Sequence, residues 1–191
     1  MKSFLGSAST HILSGLGGFE GRALRKGDAL EIGVEGKDVR QRALSAGALT
    51  RLAARKTLRV TAGPQSEWFD EDARRLFYGS TYRVAEDSNR MGLRLEGAAI
   101  TGPSGGEMIS EGMALGAVQV PEGGKPIILF VEQQTTGGYP KIANVISADF
   151  HSLGQLRPRD EIRFELIEME TARRLLREQE ELMASEESLF E

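Results

Sequence analysis

The sequence predicts a mainly β protein with a few helices, and three observations carry that prediction. Stretches that alternate apolar and polar recur at Thr57–Gly63, Leu93–Gly97 and Ile162–Leu166, the period of two that half-buried strands require. An apolar run of strand length, Pro126–Val131, lies in the middle of the most distinctive segment. The 191 residues include 23 glycines, many of them between these stretches, as short strands joined by turns demand.

Composition narrows the classes. Hydrophobic residues make up 40% of the chain, enough for a core of one domain or two small ones. A net charge of −4 argues against nucleic acid or an anionic membrane as partner. Without cysteine there is neither a disulfide framework nor thiolate chemistry. No apolar run has bilayer length and no signal-type apolar stretch follows Met1, so the expected location is the cytoplasm. Only two histidines are present, and no metal site is expected.

In chain order, Gly15–Arg22 holds clustered glycines near Ser and Thr. Such backbone could cradle an anion; it also fits an irregular loop, and it lacks the spacing of a phosphate-binding or dinucleotide fingerprint. His11 is a candidate base or a hydrogen-bonded loop residue. Leu24–Ile32 reads as a turn and a strand, and Glu35–Lys56 as a basic, partly helix-friendly linker and domain boundary. After the strand Thr57–Gly63, Pro64 stops the alternation. Trp68, Phe69, Ala73, Leu76 and Phe77 then form a one-sided helical stripe, with Ser66 or Asp70 as cap and Asp70, Glu71 and Asp72 suited to the positive N-terminus. Trp68 is expected in the core.

A short strand at Thr81–Ala85 leads to Ser88-Asn89-Arg90-Met91-Gly92, where Arg90 offers a fork for carboxylate or phosphate or simply an exposed turn cation. Gly102–Gly116 reads as loop and short strand, with Glu107 and Glu111 as possible acids or bases. Past the buried strand at Pro126–Val131 comes Gln133-Gln134-Thr135-Thr136-Gly137-Gly138-Tyr139-Pro140, then Lys141–Ile146. This segment sets amides, hydroxyls, two glycines, a phenol and an amine beside a strand, a binding turn or a solvated one. Strand Ile162–Leu166 is followed by an amphipathic helix over Met169–Met183, with Ala172, Leu175, Leu176, Leu182 and Met183 on one side, and by an acidic, frayed tail. The domains expected are 1–56, 57–167 and 168–191.

Several of these segments occur together in one order: Ser88-Asn89-Arg90-Met91-Gly92, Glu107–Gly112, Gly116–Pro121, Gln134–Ala143, Asp149 and Gln155-Leu156-Arg157-Pro158, with Gly17–Arg22 and Gly27-Asp28 ahead of them. The series closely resembles the allophanate hydrolase subunit 2 family, which includes the C-type subunit of 5-oxoprolinase and a domain of urea carboxylase, and it extends to about Phe164. The resemblance implies a cyclophilin-like β-barrel formed mostly by residues 57–166 and a further segment ahead of Met1. It implies a partner, the subunit 1 or B-type chain, a small amide or ureido substrate, and ATP used by the complex. This chain departs from the pattern at Ala8, where Arg is usual, at Glu132-Gln133, where Asp-Arg is common, and at Arg159, where Gly is usual.

Cleaving an amide requires polarising a carbonyl and holding an oxyanion. On motif membership and polarity, Asp149 is the expected base, with Glu107 or Glu111 behind it, and Lys141 the neutralising cation. Asn89, Arg90, Gln119, Thr135, Thr136, Gly137, Gly138 and Tyr139 are the expected substrate-binding residues. Two further readings stay open: a binding module that acts on a kinase inhibitor, and an inactive remnant of a longer protein. A carboxyl transfer to urea is the alternative within the enzyme class.

Overall fold

The computed structural model describes residues 3–31, 42–103 and 108–190. The chain forms two compact units, residues 1–41 and 42–191.

The first unit is small. Strands β1 (Thr10–His11) and β2 (Leu16–Gly17) pair antiparallel as a hairpin. Gly21 has φ +66°, and a Cβ there would come within 1.9 Å of the Gly15 carbonyl oxygen, so only glycine fits this close approach. The Arg22 guanidinium grips Asp28 through two nitrogens, at 2.8 and 2.9 Å, and holds its carboxyl down at about 2. His11 is exposed, with Nδ1 2.6 Å from Ser14 Oγ, a local loop bond. The turn expected within Leu24–Ile32 is present at Lys26-Gly27, but residues 28–31 form no strand after it; Ile32 and the first part of the linker lie outside the described residues.

The second unit is built on a closed seven-stranded barrel. Its strands are β3 (Thr57–Ala62), β4 (Tyr82–Val84), β5 (Gly92–Glu96), β7 (Ala117–Gln119), β8 (Ile127–Leu129), β10 (Lys141–Val145) and β11 (Glu161–Leu166). The order around the barrel is β10-β3-β11-β4-β5-β8-β7, and β7 closes on β10. All pairings are antiparallel except β3 with β11, so the barrel spans the residues expected to form it. The alternation seen in the sequence sets the inward face. Leu58 and Val60 of β3, Leu93 and Leu95 of β5, and Ile162 and Phe164 of β11 are all buried. A small ribbon of β6 (Glu111–Gly112) and β9 (Thr136–Gly137) stands beside the barrel.

Helix α1 (Ala46–Leu52) precedes β3 and is capped by Ser45, whose side chain accepts from the Ala48 N–H. Helix α2 (Glu71–Gly79) follows β3 and is capped by Asp70, not Ser66, with Glu71 and Asp72 in its first turn. Phe69, Ala73 and Phe77, spaced four apart, seal the barrel, and Phe77 stacks on Phe164 with centroids 4.6 Å apart. Trp68 is a correction to the expected stripe. It falls in the single 3₁₀ turn Ser66–Trp68 ahead of α2, off the helical face that Phe69 continues, and is 53% exposed. Leu76 is exposed as well.

After β10 the chain makes a 3₁₀ turn and the short helix α3 (Phe150–Leu153), which local patterning had not indicated. The C-terminal helix α4 (Met169–Ala184) buries Ala172 and Leu182 and leaves Met183 exposed. The tail is more ordered than its acidity suggests. Ser185 caps α5 (Glu186–Leu189), the Ser45 N–H donates to the Leu189 carbonyl, and Leu44 bridges Phe190. None of the described helices is long and apolar enough to cross a membrane.

Candidate active site

Lys141 opens β10, and the barrel wall buries it almost completely, its side chain 4% exposed. A cationic side chain is buried only with a partner. Here the partner is Glu111 on β6, whose Oε1 accepts from Lys141 Nζ. Gln65 completes a three-way clamp. Its Nε2 donates to the same Glu111 oxygen at 2.8 Å, and its Oε1 accepts the Lys141 backbone N–H at 3.1 Å.

The clamp depends on a close backbone crossing. A Cβ at Gly63 would come within 2.2 Å of the Lys141 carbonyl oxygen, so glycine is needed where β3 hands over to Gln65. Glu111 is held from the other side by its ribbon pairing with Gly137. Lys141 and then Gln65 pull the Glu111 carboxyl below its usual range.

Amides extend the cluster. Gln119, at the end of β7 opposite Lys141, is buried, and its Nε2 points at Met113 Sδ (3.2 Å) and the Tyr139 carbonyl (3.4 Å). Gln134 Nε2 donates to Gln119 Oε1 at 3.3 Å. A Cβ on Gly137 would sit 3.1–3.2 Å from Gln119 Nε2, Met113 Sδ and Gln134 Nε2, so the bare glycine leaves these side chains room.

The remaining expected residues divide in two. Thr135 and Thr136 belong with the cluster; both are exposed, and the Thr135 carbonyl accepts from the Met113 N–H. Gly138 packs near Met108 and Ser110, and Tyr139 is half exposed.

Asn89 and Arg90 do not join them. The ladder Gly92↔Leu129, Leu129 to Ala117 and Ala117↔Asn144 puts the start of β5 at the opposite barrel end from Gln119 and Lys141. There Asn89 Oδ1 accepts from the Met91 N–H in a tight turn, and Arg90 Nε pairs with Glu132 at 2.6 Å. Glu132, a departure from the usual Asp, thus still serves as an acidic partner.

Asp149 is the main correction. It lies past the far end of β10, a strand roughly 13 Å long from Lys141 to Val145, and it is 0% exposed. Its carboxylate accepts from the Arg59 backbone N–H at 2.8 Å and from the Arg59 guanidinium Nε and Nη2. Enclosed and fully engaged, it ties the 3₁₀ turn after β10 to β3 and has no surface to offer a substrate. Glu107 lies outside the described residues. Sequence reasoning missed Gln65 and Met113; Gln134 stood in the glycine turn read as a possible binding turn but was not named among its substrate-binding residues. The one local hint for Gln65 was its place after Gly63-Pro64, where a strand ends abruptly.

The fold has counterparts among known proteins. A family model described as carboxyltransferase domain, subdomain A and B, matches residues 1–166. The chain belongs to this carboxyltransferase family. Within the family it is 37% identical to the C-type subunit of 5-oxoprolinase from Escherichia coli over 176 residues, 92% of this chain and 56% of that protein. It is 31% identical to the urea amidolyase of Lachancea kluyveri over 198 residues, 93% of this chain and 11% of that one. The crystal structure of the K. lactis urea amidolyase superposes with a TM-score of 0.76 at 26% identity, covering 98% of this chain and 13% of that one. The chain thus spans about half the length of the bacterial relative.

The Lys141–Glu111 pair gives the barrel a pH signature. Because folding lowers the Glu111 pKa, the unfolded chain binds the extra proton as pH falls. The pair's stabilisation is present above the unfolded glutamate pKa and lost as pH drops through the folded value. Thermal melts between pH 7 and pH 3 are expected to fall more steeply for the wild type than for Glu111→Gln. Parallel curves would remove this linkage.

Proposed function

We propose that this chain is the barrel-bearing part of a C-type subunit in an ATP-dependent amide-cleaving complex, and that the complex opens 5-oxoproline to glutamate. The observation that carries this reading is the 37% identity to the bacterial C-type subunit of 5-oxoprolinase across 92% of the chain. The geometry is compatible with the chemistry. Lys141 supplies a buried positive donor for a carbonyl oxygen as it gains negative charge, where a dry, preorganised charge acts most strongly. Glu111, reached by solvent on one side, is a carboxylate able to accept a proton from an attacking or leaving group. Gln119 and Gln134 present amide donors and acceptors that match a lactam's N–H and C=O.

In this reading ATP is consumed by the complex, and a B-type chain is the partner that completes the site. The urea amidolyase relatives support the alternative, carboxyl transfer to a ureido substrate, as the activity of a related domain. The test is co-expression with a B-type chain and the remaining subunit, followed by assay of ATP-dependent glutamate release from 5-oxoproline. Complex formation with turnover is the expected result. A folded chain that neither joins the complex nor supports turnover overturns the reading.

A further inference from the structure

The β6–β9 ribbon that carries Glu111 is only two residue pairs long, too short to fix a half-exposed side chain by itself. What fixes the Glu111 carboxylate comes from the barrel. Lys141 Nζ and Gln65 Nε2 both meet its Oε1, and Oε2 makes no hydrogen bond among the described residues.

The two donors do different things. An ammonium on a flexible stem is a point charge with three rotatable N–H groups, and it attracts either carboxylate oxygen alike. A carboxamide is planar and donates in fixed directions. Gln65 also cannot turn its amide over. Its Oε1 accepts the Lys141 backbone N–H at 3.1 Å, a group that can only donate, so Nε2 must face Glu111. Its backbone is confined as well. The Gln65 N–H donates to the Lys141 carbonyl at 3.2 Å, and the Gln65 carbonyl accepts from the Trp68 N–H at 3.0 Å. Buried and held at these four points, Gln65 is a fixed reference against which the Glu111 carboxylate is oriented.

We propose that Gln65 is a positioning residue whose Nε2 pins Oε1 of Glu111, so that proton transfer at the site uses Oε2. The proton that Glu111 accepts from an attacking or leaving group bonds to Oε2, while Oε1 keeps both of its donors. Gln65 does not touch the substrate; it acts through Glu111. This role rests on the function proposed for the complex, in which Glu111 is the proton acceptor. Among the described residues Lys141 is the one charged group acting on Glu111, and Gln65 adds to it in keeping the carboxylate ionised.

Two variants test the role. Gln65→Met keeps the length of the side chain and removes both of its bonds. Gln65→Glu, ionised at neutral pH, keeps an acceptor for the Lys141 backbone N–H and offers Glu111 no donor. In the free chain, Glu111 is titrated by NMR of isotope-labelled glutamate, its signal identified by its loss in Glu111→Gln. The midpoint is expected to rise above that of the wild type in both variants, because a donor to the carboxylate is gone. In the assembled complex, kcat on the pH plateau is expected to fall by about 10- to 100-fold, with KM within about twofold of wild type. The acid limb of kcat/KM should move up together with the Glu111 midpoint. Where Gln65→Met fails to fold, Gln65→Glu decides by the same readings. An unmoved midpoint overturns the role. So does a kcat for Gln65→Glu within about twofold of wild type, which would leave Gln65 only fastening the Lys141 backbone, or a change confined to KM. If the wild-type complex does not turn over 5-oxoproline, that reading of the complex falls, and the free-chain midpoints alone decide whether Gln65 pins Oε1.

Discussion

Lys141→Met in the assembled complex is expected to lower kcat for amide cleavage by about 100-fold or more, the range in which a single positioned proton donor or charge contributes. Met keeps the aliphatic stem that fills the barrel wall and removes only the charged head. The cost to folding should be small, because Glu111, the partner left behind, is 45% exposed and can hydrate. The melting temperature should therefore move by only a few degrees while turnover collapses. Lys141→Arg should restore little, because a planar fork cannot reproduce the single Nζ contact with Glu111 in a space that Gln65 also occupies. If kcat stays within a few-fold of wild type while the complex remains assembled, Lys141 has no catalytic part. A change confined to KM would reassign it to ground-state binding.

Asp149→Ala should produce the opposite pattern, a large loss of stability. The substitution strands the Arg59 guanidinium, 16% exposed, and the Arg59 backbone N–H without their acceptor. Breaking a buried pair by removing one member costs about 3–5 kcal/mol. For a chain of this length each kcal/mol shifts the melting temperature by about 2–4 °C, so a fall of roughly 6–20 °C is expected. Removing both charges together, Arg59→Met with Asp149→Leu, should recover much of that loss, since no charge is left uncompensated. A melt within a degree or two of wild type, combined with lost turnover, would return Asp149 to the chemistry.

These two residues show how far sequence reasoning reached into the site. Lys141 and Asp149 both stand in motifs that carry the family resemblance, and motif membership does not distinguish a residue facing substrate from one that pins a turn to a strand. Both are buried, and their partners separate them: Lys141 meets Glu111, which is 45% exposed, whereas Asp149 is closed in by Arg59, which is 16% exposed. Asn89 and Arg90 were grouped with the glycine turn for the same reason, and strand register moved them to the other barrel end. Arg159 shows a departure that becomes physical only in the fold. Its φ of +74° is a left-handed conformation, which favours glycine, the residue the family resemblance implies there.

What the sequence determined by itself was local: alternation placed β3, β5 and β11, an apolar run placed β8, helical spacing placed α2 and α4, and Ser66 and Asp70 stood as the two candidate caps of α2. Those signals depend on side-chain direction along a few neighbouring residues, and one chain carries them in full. The tertiary structure decided everything that depends on residues far apart. It set the barrel order, the parallel pairing of β3 with β11, and the exposure of Trp68. It also brought together Gln65, Glu111 and Lys141, separated by up to 76 positions. A buried amine needs an acidic partner but does not specify where in the chain that partner lies; closure of the barrel and pairing of the β6–β9 ribbon put it there.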